Sequence, residues 1–228
     1  AQEYWHCRTL ARALAKHVPP AATVIEGGEL DKWLRRSMGD DARADAVANA
    51  IQTASTGKAG HMSERLVSRV CMALDPTAPI RYRGKAMMPD GIGGMLADAF
   101  LRGESPQPVA EVLANQLPMF WVNVQSDFKP EFVPMVQNFD QIRAFLDRTA
   151  HGLGVERVLY EMNPTMPCIS PLIGKQVPTT PAELLRALDW VAAGGERHKE
   201  PIDRHIAAFL AVRHRRTDEL LYTQLGSS

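Results

Sequence analysis

No sign of charge dominates this chain of 228 residues: Lys+Arg and Asp+Glu number 26 each, so the formal net charge is zero. A nucleic-acid binder usually carries a basic excess, because each phosphate contact needs a cation that displaces counterions. Global charge therefore argues against nucleic acid and leaves only a local basic face to that role. Cysteine is scarce too. Cys7, Cys71 and Cys168 are far apart and odd in number, which excludes a disulfide framework and points to buried thiols in a reducing compartment. The cytoplasm is the expected location. Apolar runs such as Ala207 to Val212 are far short of a membrane span, and the opening residues lack the pattern of a secretory signal.

The familiar marks of catalysis are missing as well. Gly57-Lys58 has Gln at position 52 and Ala at position 59, where a phosphate-binding loop needs Gly and Ser or Thr. "GIGGML" from Gly91 lacks the dinucleotide-binding spacing and follows no convincing buried strand. The seven histidines show no HxxxH or HExxH, and the cysteines no CxxC, so no metal site and no cofactor are expected. Cys168, in the proline-rich "TMPCISPL", is the one thiol placed in a loop where a thiolate could be exposed. As a nucleophile it would need a base and an oxyanion site from distant residues. Cys71 sits on an apolar helix face and reads as core.

What the chain does contain is helical periodicity. Apolar residues recur at three-and-four spacing over Glu3–His17, Ser63–Leu74, Asp140–His151 and Val155–Met162, each an amphipathic helix by pattern. Pro19-Pro20 should end the first of these, with "ATVIE" (Ala22–Glu26) following as an extended piece. A break at Gly39-Asp40 separates two further helices, the second capped by Asp40 or Asp41. Thr180, Pro181 and Glu183 fit a capping box. "IRYRGKAMM" (Ile80–Met88) alternates like a strand, and Phe120–Val124 is the strongest strand candidate by composition. The fold class expected is mainly α, with ten to twelve helices in one domain.

The chain also resembles itself. Shifted by 66 residues without a gap, Gly27/Gly93, Gly28/Gly94, Leu30/Leu96, Arg36/Arg102, Ala44/Ala110, Ala48/Ala114 and Asn49/Asn115 coincide. With a looser third copy, this predicts a helical-hairpin array with short extended segments and units near 23–55, 80–118 and 172–213.

Such an array, without a catalytic motif, predicts a non-catalytic protein-interaction or regulatory module, one part of a larger cytoplasmic protein. Its partner would be another protein or another domain. The groove residues would be Trp33, Trp121 and Trp190, with Arg213, Arg215 and Arg216 supplying charge. Two other functions are open. One is a nucleic-acid module using Arg81, Tyr82, Arg83 and Lys85, where an aromatic lies among cations, together with the Arg213–Arg216 cluster. The other is an enzyme built around Cys168.

Overall fold

The computed structural model describes residues 6–55, 61–127, 129–195, 200 and 202–225, with only the backbone described for 215–225. Among these, twelve α-helices and one two-stranded hairpin make a mainly α protein. The chain divides into two compact units, residues 1–92 with 107–139 and residues 93–106 with 140–228.

Unit one is built on a single central helix. α1 (Cys7–Lys16), α2 (Val18–Glu26), α3 (Glu29–Lys32) and α4 (Asp41–Ala54) precede α5 (Met62–Leu74). In α5 every residue from Arg65 to Leu74 is buried, because α1, α2, α4, the first hairpin strand and a later helix all pack against it. A helix covered on all sides is a core element. Ala11 and Leu14 of α1, Ala21, Ala22 and Ile25 of α2, and Ala44, Val47 and Ala50 of α4 bury their apolar faces.

Two local expectations are corrected in this unit. "ATVIE" is the end of α2, not an extended piece. Pro19 and Pro20 lie in the first turn of that helix, where the missing N–H groups would have no partner anyway, so they start a helix as well as follow one. Phe120–Val124 is not a strand: α8 (Leu117–Asn123) runs through it, following α6 (Ile92–Leu101) and α7 (Gln107–Ala114). Pro118 sits in its first turn, and Phe120, Trp121 and Val122 are all buried. Packing has overridden the β preference of these side chains.

The break at Gly39-Asp40 is present. A π-helical turn over Trp33–Met38 ends on Gly39 at φ 64°, and the Asp40 carboxylate accepts the Arg43 N–H at 3.0 Å to cap α4. "IRYRGKAMM" forms the antiparallel hairpin β1 (Ile80–Tyr82) and β2 (Lys85–Met87), with Ile80, Arg81 and Tyr82 facing Met87, Ala86 and Lys85.

Unit two has a buried centre of its own. In α10 (Val155–Met162) residues Arg157 to Glu161 are all buried. It follows α9 (Phe132–Leu146) and precedes α11 (Pro181–Ala193) and α12 (Arg204–Leu225), the last of which packs along it. α9 starts earlier and stops sooner than its apolar pattern predicts. The Thr180/Glu183 capping box is formed, with Pro181 in the first turn.

The matched glycines and asparagines differ in local structure. Gly28 takes φ 77° ahead of α3, a conformation that favours glycine. Gly93 lies inside α6, where an added Cβ would stand 3.0 Å from Met162 Cβ, so close helix approach is what requires glycine there. Asn49 is exposed, whereas Asn115 is buried.

Candidate functional site

The two-residue turn of the hairpin is where the chain departs from its easiest geometry. Arg83 and Gly84 take φ 47° and 74°, as a tight hairpin turn demands, and Asn or Gly would suit the first position better than Arg. Arg83 is held there by two carboxylates. Its N–H donates to Glu64 Oε2 at 3.0 Å, and its Nη1 donates to both oxygens of Glu111 at 3.3 Å. Local strain of this kind persists where its surroundings over-determine it, as at binding sites.

A buried polar network backs the turn. The Tyr82 hydroxyl donates to Glu111 Oε2 at 2.9 Å, and burial, then Glu111, push that phenol's pKa far upward. Asn115 Nδ2 donates to the Glu111 carbonyl at 2.9 Å. Asn115 Oδ1 in turn accepts from Arg65 Nη1 at 3.2 Å, and the Asn115 carbonyl accepts from Arg69 Nη2 at 3.2 Å. Arg65, only 1% exposed, also donates through Nε to the Ala54 carbonyl at 2.6 Å. Arg69 lies over the Phe120 ring, 5.1 Å from its centroid. Burial, then Arg65, lower the Arg69 pKa. Two guanidinium groups one turn apart on α5 are thus buried inside unit one.

In front of this network is a cavity of about 420 Å³. Arg12 and Lys16, exposed on α1, meet Arg81, Arg83 and Lys85 of the hairpin around it, with Glu64 as the one acidic lining residue among those described. Arg12, Lys16 and Arg81 have no ion pair among the described residues. Ser68 of α5, 1% exposed, is among the lining residues, and its hydroxyl oxygen is itself buried without a hydrogen-bond partner. The cavity therefore has a positive rim, which suits an anion.

The structure brings together Arg81, Arg83 and Lys85 of the residues singled out by sequence. Tyr82 belongs to the same hairpin, but its ring is 2% exposed and offers no open face for stacking. The tryptophans are scattered in role. Trp121 is core, donating its indole N–H to the Ala78 carbonyl at 2.9 Å. Trp33 lines an apolar cavity of about 210 Å³ with Leu10, Leu14, Ile25 and Leu30. Trp190 is 66% exposed on α11, beside Val177 at 69%, around a cavity of about 350 Å³.

Arg213 turns inward. It donates to the Pro164 carbonyl, reaches the Met166 carbonyl at 3.0 Å, and lies 4.9 Å over the Phe209 ring. The side chains of Arg215 and Arg216 lie outside the described residues. Cys168 is in a loop as expected but is buried, and burial raises its thiol pKa. Around it, Tyr160 OH is 3.2 Å from His205 Nδ1 and 4.0 Å from Cys168 Sγ, while Ser170 Oγ donates to Asp203 at 2.7 Å. A thiol held protonated is a weak nucleophile. Among the described residues no three His, Cys, Asp or Glu side chains gather as a metal site, and no helix is long and apolar enough to cross a membrane.

Sequence reasoning missed Arg12, Lys16 and Ser68. The first two did leave a trace, since cations four apart share one face of a helix. Ser68 left none, being a single hydroxyl within the apolar run "LVSRVCMAL". No protein-family model, curated protein or solved structure matches the chain.

Proposed function

We propose that the chain is a non-catalytic binding module whose unit one receives an anionic ligand at the hairpin cavity. One observation carries this reading: five cations from two separate segments line one cavity, Arg12, Lys16 and Arg81 without an ion pair, and among the described residues Glu64 is its one acidic lining residue. Cations spread for solubility alone have no reason to converge, and a local positive field attracts anions even on a neutral protein. Tyr82's burial turns the reading away from stacked bases and toward the charge on the ligand. The three free, buried thiols favour a reducing compartment such as the cytoplasm.

The test is equilibrium binding of a labelled single-stranded oligonucleotide, used as a polyanion, at low and moderate salt. Affinity should fall as salt rises, and Arg81→Ala with Lys85→Ala should weaken it at least about tenfold. Binding that ignores both substitutions would sink the reading.

A second reading is supported by the neighbouring exposure of Trp190 and Val177. Large aromatics of this kind anchor protein partners, so a protein segment with apolar side chains would bind unit two there. Loss of a partner from the Trp190→Ala variant but not from Arg81→Ala would support it.

A further inference from the structure

We propose that unit two pairs with a second copy of this chain through α11, the two helices running antiparallel about a two-fold axis. The inference rests on the reading that the Trp190 face binds protein, and it names the partner. Taken at about 100° per residue, Ala182, Leu185, Arg186, Asp189, Trp190 and Ala193 fall within an arc of about 140° on α11. All six are exposed, Leu185 at 62%. The buried Leu184, Ala187 and Val191 lie on the opposite side of the helix. An exposed strip that combines a leucine and a tryptophan with a cation and an anion has the composition of a contact surface.

Reversal of this strip preserves its chemistry. Alanine exchanges with alanine, leucine with tryptophan, and arginine with aspartate. Two antiparallel copies in register about the centre of the strip therefore set Ala182 level with the other copy's Ala193, Leu185 with Trp190, and Arg186 with Asp189. Opposite charges then meet in both halves of the contact, as the isologous surface of a two-fold dimer requires. The terminal alanines let the helix axes come close. Neither Arg186 nor Asp189 has an ion pair among the described residues, and Arg186 Nε donates to the Ala182 carbonyl at a long 3.4 Å. A partner other than a copy needs no such symmetry in the strip.

The cavity beside the strip fits the same arrangement. Val177, Arg186 and Trp190 line its volume of about 350 Å³. A two-fold axis normal to the helix pair keeps both Trp190 edges on one side. Each indole then approaches the other copy's cavity and its Arg186 guanidinium, a cation–π pairing. Glu183 also lines the cavity, but its Oε2 accepts the Thr179 N–H and hydroxyl at 2.8 Å each. Those bonds do most to lower the Glu183 pKa, and Arg186 does least.

The experiment is sedimentation equilibrium of the full chain from about 1 μM to about 1 mM, the range in which small interfaces associate. The chain should pass from monomer to dimer across it. Arg186→Asp opposes two carboxylates and Asp189→Arg opposes two guanidinium groups, so each variant alone should weaken pairing at least about tenfold. An equal mixture of the two restores both opposite-charge contacts and should pair about as well as the unaltered chain. Trp190→Ala should also weaken pairing at least about tenfold. All three positions are exposed, so thermal unfolding should be unchanged, which separates lost pairing from lost folding.

A chain that stays monomeric at every concentration would overturn the second copy and leave the protein-binding reading to its own test of partner loss. Dimers that both charge variants retain, or a mixture that fails to recover what its components lost, would reject the antiparallel pairing. Dimers indifferent to Trp190→Ala as well would place the contact on another surface.

Discussion

α5 and α10 lie in different units, each with an unbroken run of buried residues, and each carries buried charge. They deal with it in opposite ways. In α10 Arg157 donates to Glu161 at 2.8 Å one turn along the same helix, and the Arg157 guanidinium lies 4.9 Å over the Phe145 ring. In α5 Arg65 and Arg69 are held by carbonyl and amide oxygens and by a ring. α10 pairs its arginine with a carboxylate on the same helix. Arg65 and Arg69 of α5 instead reach partners on other elements of unit one, the unit that carries the basic cavity. Buried charge alone therefore says little about function; its neutralisation within the element says more.

The largest expected effect tests that contrast in unit two. Glu161→Ala strands the Arg157 charge in the interior and should cost about 3–5 kcal/mol, whereas replacing both residues by leucine should restore most of it. Urea unfolding of the two variants decides. Failure of the double substitution to recover stability would mean that the pair does more than cancel itself.

A smaller effect separates the two arginine clusters that looked alike in sequence. Arg213→Ala removes bonds to the Pro164 and Met166 carbonyls and the packing on Phe209. It should lower stability by about 1–3 kcal/mol with anion affinity unchanged. Arg81→Ala should do the reverse, keeping stability within about 0.5 kcal/mol and losing affinity. Thermal unfolding and oligonucleotide binding on both variants give a two-by-two outcome, and matching effects in both variants would erase the distinction.

The sequence separates these cases only where a local rule is at work. The Thr180/Glu183 capping box, the turn at Gly39-Asp40 and the helix over Val155–Met162 all depend on neighbours within a few residues, and each was readable. Phe120–Val124 was misread because its β-preferring side chains carry no record of the surroundings that bury them. The two basic clusters differ only in what long-range packing brings to them. Pro164 and Met166 come to Arg213 from 49 and 47 residues away, and α1 reaches Arg81 from the start of the chain. The Ser68 hydroxyl shows the same limit, since its lack of a partner is a property of the folded interior.

Acid should reveal a further difference between the units. Burial lowers the His205 pKa, against the opposing pull of Asp203 and Glu156. The unfolded chain then takes up the proton before the folded one, so stability is complete above the ordinary histidine value and declines as pH falls through it toward the lowered one. The geometry supplies a reason. The Tyr160 hydroxyl, which accepts the Ile169 N–H at 3.1 Å, stands 3.2 Å from His205 Nδ1, where a neutral ring nitrogen can accept the phenol proton. A protonated ring loses that acceptor and places its charge in a largely buried setting. The midpoint of thermal unfolding should drop between about pH 7 and pH 5, and His205→Gln, which keeps an acceptor but does not titrate, should reduce the drop. An equal drop in the variant would assign the acid sensitivity to other groups.

The smallest effect comes from the most conspicuous side chain. Trp190 and Val177 are exposed, while Leu184, Ala187 and Val191 form the buried face of α11. Because the indole covers little of the core, Trp190→Ala should change stability by no more than about 0.5 kcal/mol. A tryptophan expected at a core position by its apolar pattern would cost several times that. Unfolding in urea distinguishes the two, and a large loss would move Trp190 from the surface of unit two into its packing. A negligible loss leaves an aromatic that the fold does not need, and such a residue on an open face is best explained by what it binds.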